Sequence, residues 1–89
     1  MKRNYDDPAY KKWRKDIYKR DDYCCQWPNC KERKYLNAHH ILRWADNPGL
    51  RYHIDNGITL CKAHHKMING LEHIYASVFT KILTDKKHE

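Results

Sequence analysis

Two adjacent histidines, His39 and His40, are the side chains in this chain best suited to chemistry. Fifteen residues separate His40 from Asn56, and eight separate Asn56 from His65. A neutral imidazole can accept a proton from water near pH 7, while other imidazoles hold a divalent metal ion. Together these groups form the minimal equipment for hydrolysing a phosphodiester bond.

Two pairs of cysteine and histidine residues flank this segment at spacings typical of structural zinc sites. Four residues lie between Cys25 and Cys30, and two lie between Cys61 and His64. Each pair can curl around one tetrahedral ion, so the spacing predicts a zinc site that joins the loop before the histidines to the helix after them. Cys24 could replace Cys25, but its five-residue gap is less usual, and we treat it as the spare thiol.

Two alternatives to the zinc site are a disulfide framework and ordinary buried cysteines, with His64 on a helix surface. No apolar run near the N-terminus resembles a signal peptide or a membrane span, so we expect a cytoplasmic protein with reduced thiols and no membrane contact. The core of an 89-residue chain with a single Phe must be small, and a structural metal is a usual reinforcement in that case.

Positive charge is concentrated in the first third of the chain. The formal net charge is +7, and a basic surface attracts phosphate groups without reading base sequence. The basic residues of this region are Lys2, Arg3, Lys11, Lys12, Arg14, Lys15, Lys19, Arg20, Lys31, Arg33 and Lys34. Those expected to contact nucleic-acid phosphates are Lys11, Lys12, Arg14, Lys15 and Arg20. A solvated face without a partner is the alternative.

The hydrophobic pattern predicts three helices and two short strands. In chain order these are a basic helix over 8–19, a strand over 36–42, a loop over 43–56, a strand over 58–60, a helix over 61–67 and a C-terminal helix over 71–83. Asp7 and Pro8 are a typical helix start, and Asn69-Gly70 ends or kinks the helix over 61–67. We expect the tail over 84–89 to be frayed.

Four segments together resemble the HNH endonuclease family: residues 20–26 (RDDYCCQ), residues 38–41 (AHHI), residues 55–61 (DNGITLC) and the pair His64-His65. The resemblance covers roughly residues 8–70. It implies an α+β fold, namely a small zinc-stabilised ββα-metal hairpin and helix of treble-clef-like form, flanked by N- and C-terminal helices. One nuclease domain would span residues 1–89, with its core over about 20–70.

The resemblance also implies a role for each motif residue. His39 and His65 would hold the catalytic divalent ion, which could be Mg²⁺, Mn²⁺, Ni²⁺ or Co²⁺. His40 would be the general base and Asn56 would brace the loop that orients it. A separate structural Zn²⁺ would be bound by Cys25, Cys30, Cys61 and His64. The implied reaction is hydrolysis of DNA that leaves 5′-phosphate and 3′-hydroxyl ends.

Elementary geometry agrees with this division of labour. Consecutive strand side chains point to opposite faces, so His39 and His40 do not serve as two ordinary ligands of one ion. Adjacent helix residues point about 100° apart, which lets His64 and His65 serve two different metals. His64 stands where many relatives have a fourth cysteine, a change that zinc tolerates. Asn69 stands where some have another histidine, and it either contacts the active site or caps the helix.

A noncatalytic zinc-knuckle module that binds nucleic acid is the alternative function. His40 separates the two hypotheses, because a pure binding protein has no need of a base beside the metal-binding strand. The expected partner is DNA, mainly through its backbone phosphates. A homodimer or a partner protein is compatible with this function, as in small phage-like HNH proteins, for which the location would be the host cytoplasm.

Overall fold

The hairpin and the helices that surround it are seen in a computed structural model, which describes residues 5–87. The elements in chain order are α1 (Pro8–Arg20), β1 (Leu36–His40), β2 (Gly57–Cys61), α2 (Lys62–Ile68) and α3 (Glu72–Lys87). The predicted helices and strands are all present, in the predicted order. Lys2 and Arg3, which the sequence placed among the basic residues, lie outside the described residues.

The two strands form an antiparallel hairpin in which His39 is opposite Ile58 and His40 is opposite Gly57. Every residue of β2 is buried, and α2 follows it without a connecting loop. The two strands and α2 form an α+β unit consistent with the ββα-metal arrangement. The long connection between the strands contains two 3₁₀ turns, over Pro48–Leu50 and Ile54–Asn56.

Strand β1 ends at His40, two residues earlier than predicted. The amide of Ile41 donates to the backbone carbonyl of Asn56, at 3.1 Å, and the amide of Leu42 donates to Oδ1 of the same residue, at 2.8 Å. These bonds turn the chain away from β2 directly after the two histidines. A pattern of alternating side chains could not reveal this turn, because it depends on an asparagine 14 residues further along.

Helix α1 begins as predicted, with Asp7 as its N-cap. Oδ1 of Asp7 accepts a hydrogen bond from the amide of Ala9 at 2.9 Å. Trp13 and Ile17 are the buried residues of the helix, and they pack against Gly57 of β2. Nε1 of Trp13 donates to the carbonyl of His53 at 3.0 Å, which also ties α1 to the connection between the strands.

The prediction of a frayed tail over 84–89 was wrong for residues 84–87, because α3 continues to Lys87, and residues 88–89 lie outside the described residues. The Lys86 ammonium lies 3.5 Å from Oδ1 of the buried Asp21 and donates to Gln26 Oε1 at 2.8 Å. The next residue, Lys87, forms an ion pair with Asp55 at 3.0 Å. These contacts hold the last turn of α3 against residues that lie far away in sequence.

The main hydrophobic core lies between the hairpin, α2 and α3. Ile58, Leu60, Ile68 and Phe79 are completely buried there, and Leu83 extends the core along α3. This core is small, as expected. Within residues 5–87, none of the helices combines the length and the apolar character that crossing a lipid bilayer requires.

Replacing Gly57 with Ala should destabilise the protein by about 1–3 kcal/mol, the usual range for overpacking a core. A Cβ atom at this position would lie 2.5 Å from Cζ2 of Trp13 and 2.6 Å from Cδ1 of Ile17, so α1 would have to move away from β2. Thermal denaturation monitored by circular dichroism measures the change. Gly49→Ala is the matched control, since a Cβ there meets no atom within 4 Å. Equal melting temperatures for the two variants would contradict the proposed close packing.

Candidate functional site

Cys25, Cys30, Cys61 and His64 lie together and could bind a metal ion. Their ligand atoms are all within 4.8 Å of one another, and we call this group the cysteine cluster. Nδ1 of His64 is 3.3 Å from Sγ of Cys61 and 3.6 Å from Sγ of Cys25. A tetrahedral zinc ion would set sulfur and nitrogen ligands roughly 3.6 Å apart, so the donor set and its spacing fit zinc. Cys24 is not in the cluster, and its Sγ lies 3.6 Å from the carbonyl of Cys25.

The turn between Cys25 and Cys30 shapes the cluster. The amide of Cys30 donates to the carbonyl of Trp27 at 2.9 Å, and Asn29 takes a left-handed conformation with φ of 68° that asparagine tolerates better than most residues. The ring of Trp27 stacks on the ring of His64, with centroids 4.8 Å apart and an interplanar angle of 9°. This stacking orients the imidazole toward the sulfur atoms.

The cysteine thiols of the cluster differ in acidity. Burial raises the pKa of the Cys25 thiol to about 12. Burial also raises the pKa of the Cys61 thiol, but hydrogen bonds from the amides of His64 and Ala63 and from the other two thiols outweigh it and lower that pKa overall. A bound cation would offset the charge of several thiolates at once.

A second site lies on the other side of α2, in a pocket of about 220 Å³ that we call the histidine pocket. Its lining residues are Ala38, His39, His40, Arg43, Trp44, Ala45, His65, Asn69 and Glu72. The rings of His39 and His65 have centroids 5.6 Å apart and are inclined at 69°. Two imidazoles that share one ion at about 2.0–2.1 Å per nitrogen have ring centres roughly 5–6 Å apart, so this pair fits a shared ion.

His40 is buried between α1 and the connection that joins the strands. Its ring stacks on that of Trp13, with centroids 4.1 Å apart and an interplanar angle of 13°. Nε2 of His40 lies 2.8 Å from the backbone carbonyl of Arg51. Because a carbonyl can only accept, the proton of the neutral imidazole is assigned to Nε2, and Nδ1 is then the basic nitrogen.

The Asn56 side chain links Leu42 and Leu50, two residues of the connection between the strands. Its Oδ1 accepts from the amide of Leu42, and its Nδ2 donates to the carbonyls of Leu42, at 3.3 Å, and Leu50, at 3.1 Å. Residue 51, whose carbonyl accepts from His40, comes directly after Leu50. The buried Asn56 side chain therefore holds the backbone group that fixes the orientation of the His40 ring.

Asn69 is the C-cap residue of α2, and Gly70 beyond it has a φ of 85°. The amide of Asn69 donates to the carbonyl of Lys66 at 3.4 Å. Asn69 also lines the histidine pocket, so the residue that ends the helix is part of this pocket as well.

Glu72 is a pocket residue that the sequence analysis did not identify. Its Oε1 accepts from the amide of Gly70 at 3.3 Å. Burial raises the pKa of its carboxyl, but hydrogen bonds from its own amide and that of Gly70, with the nearby charges of His39 and Arg43, lower that pKa overall. Glu72 thus stays ionised beside the histidines. Its position in the first turn of a predicted helix was a weak signal, since acidic residues are common there for capping alone.

The lysines and Arg14 of α1 are exposed but differ in their hydrogen-bond partners. Lys11, Lys12 and Lys15 are exposed, and Lys12 pairs with Asp16 at 2.6 Å. Arg14 is also exposed and donates through Nε to the hydroxyl of Tyr18 at 3.0 Å.

The Arg20 side chain, which was expected to contact DNA, is bound mainly within the protein. Its guanidinium donates to both carboxylate oxygens of the buried Asp21, and to the carbonyls of Ile54 and Gly57 at 2.7 Å each. Asp21 in turn accepts from the amide of Thr59 at 2.9 Å. Arg20 therefore joins the end of α1 to the hairpin, and most of its donors are used within the protein.

Comparison with known proteins agrees with the geometry. A family model described as HNH endonuclease matches residues 17–69, which is more than half of the chain and includes the cysteine cluster and the histidine pair. No curated protein and no solved structure gives a significant match. The extent of the family match, together with a ββα unit that carries a possible metal site, shows that this chain belongs to the HNH endonuclease family.

Proposed function

We propose that this protein is a metal-dependent endonuclease that hydrolyses phosphodiester bonds of DNA, with His40 as the general base. The observation that carries the proposal is the arrangement of three histidines around one pocket. His39 and His65 face each other at a separation suited to one ion, while the neighbouring His40 is held through Nε2 by a backbone carbonyl. Membership of a nuclease family supports this reading of the pocket.

The proposed catalytic ion would be held by His39 and His65. A divalent ion bound there would supply a positive charge that stabilises the negative charge developing on the phosphate. Within residues 5–87, the cysteine cluster is the only group of three or more Cys, His, Asp or Glu ligand atoms that lie close enough together for one ion. The two histidines thus leave coordination positions open, as a catalytic site requires. Mn²⁺, Ni²⁺ and Co²⁺ suit imidazole, whereas Mg²⁺ would depend mainly on water and phosphate oxygens.

His40 would remove the proton from the attacking water at Nδ1. The bond from Nε2 to the carbonyl of Arg51 keeps the neutral ring in the tautomer that is basic at Nδ1. The same bond becomes charge-assisted once the ring is an imidazolium, which stabilises the protonated base. Trp13 covers one face of the ring, and Asn56 holds the chain segment next to the carbonyl, so both residues position the base.

DNA is the proposed substrate because the family acts on it and because the chain carries a formal net charge of +7. The exposed lysines of α1, namely Lys11, Lys12 and Lys15, would bind backbone phosphates without sequence preference. The cysteine cluster is proposed to bind a structural Zn²⁺. Its four protein ligands leave no position for substrate, which distinguishes it from the histidine pocket.

Replacing Cys61 with Ser should remove the metal from the cysteine cluster and lower the melting temperature at the same time. Cys61 supplies one of the four ligands, and a structural ion contributes directly to the free energy of folding. Elemental analysis of the purified protein and thermal denaturation measure the two effects. Cys24→Ser is the control, since it removes a neighbouring thiol outside the cluster. An unchanged zinc content in the Cys61 variant would refute the ligand assignment.

His40→Ala should abolish cleavage of supercoiled plasmid DNA, but it also removes a ring that stacks on Trp13. His40→Gln is the sharper test, because its amide can still donate to the carbonyl of Arg51 but cannot accept a proton from water. We expect cleavage by the Gln variant to fall about 100-fold or more, with the circular dichroism spectrum and DNA binding retained.

The exposed His73 provides the control for loss of an imidazole, and His73→Ala should cleave at the wild-type rate. Near wild-type cleavage by His40→Gln would show that the base is misassigned. A wild-type protein that binds DNA but does not cleave it with any of Mg²⁺, Mn²⁺, Ni²⁺ or Co²⁺ would favour the noncatalytic module.

Glu72→Gln should weaken binding of Mn²⁺ to the histidine pocket by roughly tenfold, a usual effect of removing a group that supports metal ligands. Glu72 does not join His39 and His65 in one compact ligand group, so it would act as a nearby negative charge. Calorimetric titration of protein that already contains its structural zinc measures the affinity. Asp85→Asn removes an equal charge from an exposed position on α3 and should have no such effect. Equal affinities for the two variants would exclude a role for Glu72.

A further inference from the structure

A second depression adjoins the histidine pocket, and we call it the tyrosine groove. It has a volume of about 340 Å³ and is lined by Tyr5, Tyr10, Arg14, Tyr18, Asn37, Ala38 and His65. Ala38 and His65 also line the histidine pocket, so the two depressions meet at the proposed ligand of the catalytic ion. A chain molecule bound at the histidine pocket can therefore continue into the groove.

Arg14 is braced at the edge of this groove by a relay of hydrogen bonds. Its Nε donates to the hydroxyl of Tyr18 at 3.0 Å, and that hydroxyl donates to the carbonyl of Leu36 at 3.0 Å. The guanidinium carbon lies 5.2 Å from the centre of the Tyr18 ring. Leu36 is the first residue of β1, the strand that carries His39 and His40. The relay thus ties the guanidinium to the strand that bears the catalytic histidines.

The brace leaves the two terminal amino groups of Arg14 as the donors for a ligand. A guanidinium presents these groups as a planar fork that matches two oxygens of a phosphate. The other cations proposed on α1 differ, because Lys11, Lys12 and Lys15 line neither the groove nor the histidine pocket. Arg14 is therefore the cation of α1 that is both oriented and adjacent to the proposed reaction site.

The tyrosines make the groove suited to a nucleotide unit and not only to a phosphate ion. Tyr5 is 57% exposed, and its ring stands edge-on to that of Tyr10, with centroids 5.3 Å apart. Exposed aromatic rings stack on nucleobases without strong preference among them. Asn37 adds a polar side chain to the lining.

We infer that the tyrosine groove binds the nucleotide next to the scissile phosphate, with its own phosphate on Arg14 and its nucleoside against the tyrosine wall. This inference rests on the proposed function and assigns part of the substrate to a defined surface. The cleaved strand would run from the histidine pocket over Ala38 and His65 into the groove. Arg14 would bind the substrate directly, and Tyr18 is a positioning residue for Arg14.

Binding of a short fluorescein-labelled single-stranded DNA tests the inference. All variants are made in the His40→Gln background, so that the divalent ion can be present without cleavage. We expect Arg14→Ala to raise the Kd about tenfold, as for loss of a charge-assisted contact. Lys19→Ala removes an exposed charge from the same helix, at a position that lines neither depression, and should change the Kd by less than about twofold. Equal effects of the two substitutions would overturn the assignment of Arg14.

Arg14→Lys and Tyr18→Phe test the brace. Lys keeps the charge but loses the fork and the Nε donor, so it should weaken binding nearly as much as Ala. Tyr18→Phe should weaken binding by a smaller factor, and Tyr18→Phe combined with Arg14→Ala should bind no worse than Arg14→Ala alone. Full rescue by Lys, or independent effects of the two residues, would overturn the braced contact.

Two further measurements separate the possible outcomes. Millimolar inorganic phosphate should fail to displace the oligonucleotide, whereas unlabelled oligonucleotide should displace it; effective displacement by phosphate would show that the groove takes the ion alone. Plasmid cleavage by the protein with His40 intact is measured separately. Loss of the proposed function would appear as absence of that cleavage, while failure of the groove assignment would appear as normal cleavage and binding by Arg14→Ala.

Discussion

Both sites depend on how α2 is oriented about its own axis. His64 and His65 are adjacent on this helix and therefore point in directions about 100° apart. The sulfur atoms of Cys25 and Cys61, together with the stacked ring of Trp27, hold the His64 imidazole in the cysteine cluster. With His64 held there, His65 faces His39. A helix of seven residues has little stability of its own, so a cation in the cluster would fix the second site as well as the fold.

The position of His40 depends on a different set of contacts. Gly57 is opposite His40 in the hairpin, and the absence of a side chain there lets Trp13 of α1 approach and stack on the imidazole. On its other side, the connection between the strands supplies the carbonyl of Arg51, and Asn56 holds that connection. The proposed base is thus oriented by α1 and the loop, whereas the proposed ion ligands are oriented by β1 and α2. A substitution that disturbs the contacts of the proposed base can therefore leave the proposed ion ligands in place, and the reverse also holds.

Much of the architecture could be predicted from the sequence because its strongest signals are local. The spacing of the Cys25–Cys30 and Cys61–His64 pairs restricts the backbone within a few residues, and the Asp7-Pro8 start of α1 is equally local. The predicted bounds of α1, β1, β2 and α2 agree with the structure to within one or two residues. The sequence also predicted which four side chains form the cysteine cluster, since a tetrahedral ion tolerates few arrangements.

Some features could not be predicted from the sequence, namely the internal contacts of Arg20, the length of α3 and the position of Glu72. They depend on partners far away in sequence. Arg20 looks like any surface cation in the sequence, but Asp21 is buried against β2 and needs its charge compensated. The same carboxylate holds Lys86, which explains why α3 does not fray. Glu72 lies outside the residues that the family model matches, and it lines the histidine pocket together with His39 and His40, which are far from it in sequence. Buried charges therefore explain much of what the motif spacing could not reveal.

In the proposed function, the lysines of α1 and Arg14 would make two different kinds of electrostatic interaction with DNA. The lysines of α1 are exposed, and the attraction between such groups and DNA is screened over about 8–10 Å at physiological salt. In the proposed function they would raise the local concentration of DNA but could not select one position along the strand. Arg14 is braced by Tyr18 and lines the same groove as His65, so the contact inferred for it would be short in range and fixed in direction. Because salt screens the first kind of interaction more than the second, alignment of a DNA strand at His40 would depend on the arginine in the proposed function, while the rate of encounter would depend on the lysines.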